Sequence, residues 1–217
     1  MPGTAVDELE LQIGSGDDDG GPAINGNGGG HWGGGENPAY RRASMTGITL
    51  ALGAIMMFFM ALTSSYIVRR GASGDWKMFP LPPVLYVNTA ILVLSSCTIE
   101  LARRELKRGR EAAFRNMWML TSGLGFVFVG GQLLAWRDLR VEGVFLSSNP
   151  SSSFFYVLTA LHGLHLLGGI FALLYVAVRS WQSARVSQET AAQVASIYWH
   201  FMDGLWIFLL LLLSLGR

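Results

Sequence analysis

The chain reads as an all-α polytopic membrane protein, a bundle of five transmembrane helices. Of its 217 residues 51% are hydrophobic and only 14% are charged, against about 25% charged in a typical soluble domain. Five apolar runs reach the ~20 residues that a helix needs to cross about 30 Å of hydrocarbon. Cys97, the single cysteine, lies inside one of those runs, which excludes an intrachain disulfide and any cysteine-based metal site.

Residues 1 to about 45 are rich in Gly, Asp and Asn, as in "GSGDDDGGPAINGNGGGHWGGGENP". Such a stretch buries too little apolar surface to offset its ordering entropy, so a flexible tail is expected, with His31 and Trp32 solvated among glycines. The segment lacks the basic n-region and short apolar h-region of a signal peptide, so the first apolar run is expected to direct insertion.

The expected spans are 46 to 68, 82 to 102, 117 to 136, 154 to 178 and 194 to 215. Seven acidic residues lie in the tail against Arg41 and Arg42, leaving fourteen Lys/Arg against eight Asp/Glu in the rest. These cations sit between apolar runs without interleaved aromatics, so they set topology and do not form a nucleic-acid surface. Counting all sixteen Lys/Arg, with Arg41 and Arg42 included, one side receives ten, most densely in "RRELKRGREAAFR", and the other receives six. The excess places the N-terminus in the cytoplasm and the C-terminus outside. Trp76, Tyr86, Trp118, Trp136, Trp181, Tyr198 and Trp199 fall near span ends and read as interfacial aromatics.

Polar residues at membrane depth are the candidates for function. The third span carries Gly123, Gly125, Gly130 and Gly131, and Gly131 shares a face with Ala135, a spacing that lets helix backbones approach. Gln132 reads as a hydrogen-bonding tie between helices. On the fourth span His162 and His165 are three apart and share a face, and His200 and Asp203 repeat that spacing on the fifth. At about 1.5 Å per residue, His165 lies roughly 16 Å below the outer edge and Asp203 roughly 13 Å above the inner edge, nearly one level. A lone aspartate there costs at least ~2.5 kcal/mol on insertion scales and needs a partner. A buried polar layer of His162, His165, His200 and Asp203 is therefore expected, with Asp203 bonded to His165. Glu100, near the cytoplasmic end of the second span, reads as an interfacial carboxylate paired with Arg103 and Arg104.

The stretches "FFYVLTALHGLHLLGG", "YWHFMDGLWIFL" and "GQLLAW", in their helix order, resemble subunit III of the haem-copper oxidases. The closest likeness is to the five-helix bacterial form of cytochrome c oxidase subunit III, and it spans about residues 46 to 217. The resemblance implies a non-catalytic chain with no cofactor of its own, haem and copper being held by partner subunits. It also implies packing on subunit I beside subunit II, phospholipid between the helices, and support of proton uptake and of the durability of the catalytic core. The complex would pass electrons from cytochrome c to dioxygen and pump protons.

The sequence departs from the family at several positions. Its larger members have seven spans and a buried glutamate in the span corresponding to "GAIMMFFMALTSSY", which has no carboxylate here, so no role is carried over from it. Ala135 and Gln193 stand where many relatives have Glu. Gln132, Trp136, Gln193 and Trp199 remain candidate contacts to lipid or between helices. Two alternatives stay open: subunit III of a quinol oxidase or of a nitric oxide reductase assembly, and a freestanding membrane haem or metal protein using His162, His165 and His200.

Overall fold

The computed structural model describes residues 38–72, 74, 82–147, 149–181 and 185–215. Five helices account for nearly all of these: α1 (Pro38–Ala72), α2 (Val84–Lys107), α3 (Glu111–Val141), α4 (Pro150–Trp181) and α5 (Arg185–Leu215). Each contains a segment long and apolar enough to cross a membrane. The helices overrun the expected spans because polar end turns continue the hydrogen-bonded ladder past the hydrocarbon edge, where hydropathy gives no signal. Residues 38–45, assigned to the tail by sequence, are helical. The tail up to residue 37, with His31 and Trp32, lies outside the described residues, as does Trp76.

Tight turns fix the order of packing. Helix α2 ends in Gly109 at φ +72°, where the Gly109 and Arg110 amides donate to Leu106 and Glu105 carbonyls at 3.0 and 3.0 Å. This double closure satisfies carbonyls that the helix end leaves without partners, and only a residue at ease with positive φ completes it. Gly143, at φ +78°, ends α3 identically, with Gly143 and Val144 donating to Arg140 and Leu139 at 3.1 and 2.9 Å. Helix α4 then starts at Asn149-Pro150. The Asn149 amide donates to Ser152 Oγ at 3.2 Å, so one donor at the helix start is satisfied, and Tyr156 Oη ties the preceding loop by donating to the Val144 carbonyl at 2.8 Å.

Helices α2, α3, α4 and α5 form a closed ring of neighbours, and α1 leans on α4 and α5 from outside. The ring buries the large aromatics Phe114, Trp118, Phe128, Phe155, Trp199 and Trp206. Helix α1 contributes one narrow stripe, Phe59, Thr63 and Tyr66, spaced so that one helical face meets the bundle. Outward positions stay apolar, as Met57 at 71% and Phe171 at 68% exposure illustrate, which is what a chain surrounded by hydrocarbon requires.

Two residues expected at the membrane interface sit in the core. Trp118 and Trp199 are fully buried, because each indole N–H finds an acceptor across the ring: Trp118 Nε1 donates to the Leu173 carbonyl at 2.8 Å and Trp199 Nε1 to Ser95 Oγ at 3.0 Å. A satisfied indole has no need of interfacial water.

Candidate functional site, a polar seam between the second and fifth helices

The sequence "YWHFMDGLW" of α5 lies along α2. From the N-terminal to the C-terminal part of α5, Trp199 reaches Ser95, His200 and Asp203 meet Ser96, and Trp206 Nε1 donates to Thr89 Oγ1 at 3.0 Å. The partners run in opposite order on the two helices, so the pair is antiparallel, and the two tryptophans are two helical turns apart. The hydroxyls on α2 are themselves anchored: Ser95 Oγ donates to the Leu92 carbonyl at 2.6 Å and Thr89 Oγ1 to Leu85 at 2.8 Å. Each hydroxyl thus donates within its own helix and accepts from the tryptophan opposite.

Ser96 is the centre of the seam. Its hydroxyl donates to Asp203 Oδ2, and its oxygen lies 3.1 Å from His200 Nδ1. One hydroxyl has a single proton, so with that proton on the Asp203 side the Nδ1–H tautomer of His200 is the one that fits the contact with Ser96. His200, Ser96 and Asp203 therefore form a continuous chain of hydrogen-bonding groups across the two helices. Asp203 is buried, with Oδ1 among the buried atoms that have no partner, whereas His200 is exposed on the outer face of the bundle.

This geometry corrects the expected pairing. Asp203 bonds Ser96 of α2, not His165 of α4, because α5 turns its Asp203 edge toward α2. His165 turns toward α1: its Nδ1 lies 2.8 Å from the Leu161 carbonyl, and its ring meets the Phe59 ring edge-on at 5.6 Å. What α5 takes from that position is backbone, since Tyr198 Oη donates to the His165 carbonyl at 2.8 Å. His200 is also a correction, being exposed and not within a buried layer. His162 is fully buried, its ring 5.1 Å from that of Trp206 and 6.3 Å from that of Phe128.

The three histidines of the metal-protein reading thus go to three places, toward Trp206, Phe59 and Ser96. Among the described residues no three His, Cys, Asp or Glu side chains gather as metal ligands.

The remaining candidates fall around this seam. Glu100 receives Arg103 at 3.1 Å and Arg104 at 3.5 Å, with the carboxylate side chain 40% exposed. Gln132 and Trp136 line a cleft between α3 and α4, where Trp136 Nε1 donates to Thr159 Oγ1 at 3.2 Å. Gln193 lines a basic recess with Arg41, Arg103 and Lys107 at the opposite end of the bundle. Beside it, sharing Thr190, runs an apolar groove of about 410 Å³ between α1, α4 and α5, lined among others by Ile48, Ala172, Tyr175 and Tyr198.

Trp199 is held by absent side chains: a Cβ on Gly125 would come within 2.7 Å of its ring, and one on Gly169 within 3.3 Å. Sequence reasoning missed Asn88, Ser95 and Ser96. Small hydroxyls and one amide inside an apolar run carry little hydropathy signal, so nothing in the sequence singled them out.

Comparison with known proteins agrees with the motifs. Residues 34–215 match the family model described as cytochrome c oxidase subunit III. Over 168 residues the chain is 36% identical to a probable cytochrome c oxidase subunit 3 of Nocardia farcinica, covering 74% of this chain and 82% of that protein. Over 183 residues it is 33% identical to cytochrome c oxidase subunit 3 of Thermostichus vulcanus, covering 82% and 88%. A probable cytochrome c oxidase subunit 3 of Mycobacterium leprae is 33% identical over 170 residues, covering 74% and 82%. A helical membrane chain with these motifs, matched along nearly all of its spans, belongs to the cytochrome c oxidase subunit III family.

Proposed function

We propose that this chain is the non-catalytic third subunit of a respiratory haem-copper terminal oxidase, docked on subunit I near subunit II, retaining phospholipid and supporting proton uptake and the lifetime of the catalytic core. The electron donor of the complex is cytochrome c, and haem and copper belong to the partner subunits. The chain lies in a bacterial inner membrane with its N-terminus cytoplasmic and its C-terminus periplasmic.

The observation that carries the docking is His200. An imidazole tied to Ser96 lies on the outside of the bundle at mid-span, where contact with lipid tails is costly for a polar group. A partner helix covering the α2/α5 face removes that cost. Lipid retention is supported by the groove of about 410 Å³ and the recess it joins at Thr190: acyl chain in the first, and anionic headgroup beside Arg41, Arg103 and Lys107 in the second. Support of proton uptake follows from the family and from docking on subunit I.

Affinity purification of the tagged chain from native membranes, with identification of partners and an optical spectrum, tests the reading. A large haem-bearing subunit is expected to co-purify, with a colourless third subunit after dissociation. A haem spectrum that stays with the isolated chain overturns it. A dinuclear-copper subunit among the partners separates the cytochrome c oxidase from a quinol oxidase or a nitric oxide reductase assembly.

A further inference from the structure

His200 has one ring nitrogen committed and one open. Nδ1 faces Ser96 Oγ at 3.1 Å, and the Nδ1–H tautomer that fits this contact leaves Nε2 with a lone pair and no proton. Among the described residues Ser96 is the hydrogen-bond partner of the ring, so Nε2 is an acceptor that its own chain does not fill. The ring is exposed. The membrane-crossing part of α5 runs from Glu189 to Leu215, with its midpoint at Met202, and His200 lies roughly 3 Å from that level at about 1.5 Å per residue. Lipid headgroups are about 15 Å away, half the hydrocarbon thickness, and acyl chains donate no hydrogen bonds. A donor for Nε2 therefore has to come from protein.

The surface around the ring suits a helix. Gly204, one turn further along α5, is exposed, and a Cβ there would meet nothing within 4 Å, so the backbone lies bare beside the imidazole. Across the seam α2 exposes Val93 and Cys97 on the outward side of Ser96, and Ile207, 40% exposed, continues the strip on α5. Bare backbone beside a polar side chain is how membrane helices come close enough to bond across an interface. Lipid could fill the space over Gly204 but could not satisfy the acceptor next to it.

We infer that a membrane-spanning helix of the haem-bearing subunit crosses the α2/α5 face at Gly204 and presents a neutral side-chain donor, a hydroxyl, amide or indole N–H, to Nε2 of His200. The inference rests on the docking reading above and adds to it the crossing point and the chemistry that the partner must carry. A neutral donor is sufficient, and Lys or Arg at this depth would cost more to bury. The chain of His200, Ser96 and Asp203 thereby gains a member from the partner.

The assembled complex provides the test. A photoreactive benzoylphenylalanine in place of Ile207 should cross-link to the haem-bearing subunit in native membranes, whereas the same residue in place of Met57 on α1, 71% exposed, should not. Mass spectrometry of the product locates the facing helix and its candidate donor. In mild detergent His200→Leu should raise the dissociation constant of the two subunits about five- to thirtyfold, the range of one interhelical hydrogen bond in a membrane. His200→Gln, which keeps an acceptor oxygen near the place of Nε2, should raise it much less. Gly204→Leu should raise it at least as much as His200→Leu while leaving the thermal stability of the full-length chain unchanged, because its side chain enters open space. Combining His200→Leu with removal of the mapped donor should cost no more than either change alone. Additive losses in that pair overturn the inference, as do cross-links from Ile207 to lipid alone or to a second copy of this chain while the haem-bearing subunit still co-purifies; membership of the oxidase then stands. If no haem-bearing subunit co-purifies with the unaltered chain, the docking reading falls first and the inference with it.

Discussion

The carboxamide of Asn88 fills the space that a Cβ on residue 131 would occupy, and its Nδ2 donates to the Phe128 carbonyl at 3.2 Å. Glycine at 131 is thus the condition for a buried amide to cross from α2 to α3. Gly131→Ala should expel that amide and cost about 1–3 kcal/mol, as overpacking does. The adjacent Gly130→Ala, whose Cβ meets nothing within 4 Å, should change stability by no more than about 0.5 kcal/mol. Unfolding of the detergent-solubilised protein compares the two, and equal stability would remove Asn88 from the account.

Ser96→Ala takes from Asp203 its hydrogen-bond donor. A buried acceptor left without a partner costs about 1–3 kcal/mol, while an apolar pair of similar shape is nearly neutral. Ser96→Ala should therefore lower the yield of assembled protein, and adding Asp203→Leu should restore part of it. A double variant weaker than either single would show that the two residues act separately.

Glu100 offers a contrast. Its arginine pairs are partly exposed, and such pairs are worth about 0–1 kcal/mol. Glu100→Gln should leave stability and the proton-uptake rate of the assembled oxidase unchanged. A slowed uptake would assign the carboxylate to proton delivery.

For the recess at Arg41, Arg103 and Lys107, replacing Arg103 and Lys107 together with Gln should lower the anionic phospholipid that co-purifies. Extraction and phosphate assay read this directly, and equal phosphate would leave the recess without a lipid role.

Orientation is checked by cysteine labelling in a Cys97→Ser background. A cysteine at Gly109 should react only from the cytoplasmic side and one at Phe145 only from outside.

The number and type of helices were legible because long apolar runs and a hydrocarbon of fixed thickness leave few alternatives. The need of Asp203 for a partner was legible too, since a carboxylate within an apolar run is costly to leave alone. The partner was not. Rise per residue fixes height but not azimuth, and at one height Asp203 had several neighbours to choose from. It chose Ser96, a residue whose small hydroxyl scarcely alters hydropathy, while His165 turned to Phe59. The tryptophans were misjudged in the same way. A position near a span end suggests the interface, but Trp118 and Trp199 have buried acceptors, and those depend on residues 55 and 104 positions away.

The seam between α2 and α5 joins residues 104 to 117 apart in the chain. During synthesis α2 enters the membrane long before Asp203 has been translated, so Ser95, Ser96 and Thr89 must wait for their acceptors and donors. Until α5 arrives the ring of helices has an open side, with hydroxyls and the Gly125 notch turned toward lipid. Arrival of the last helix closes it in one step, placing Trp199 against Gly125 and Asp203 under Ser96. Completion of translation thereby becomes a structural checkpoint, and a chain stalled before residue 199 would display to membrane proteases the surface that the finished subunit hides.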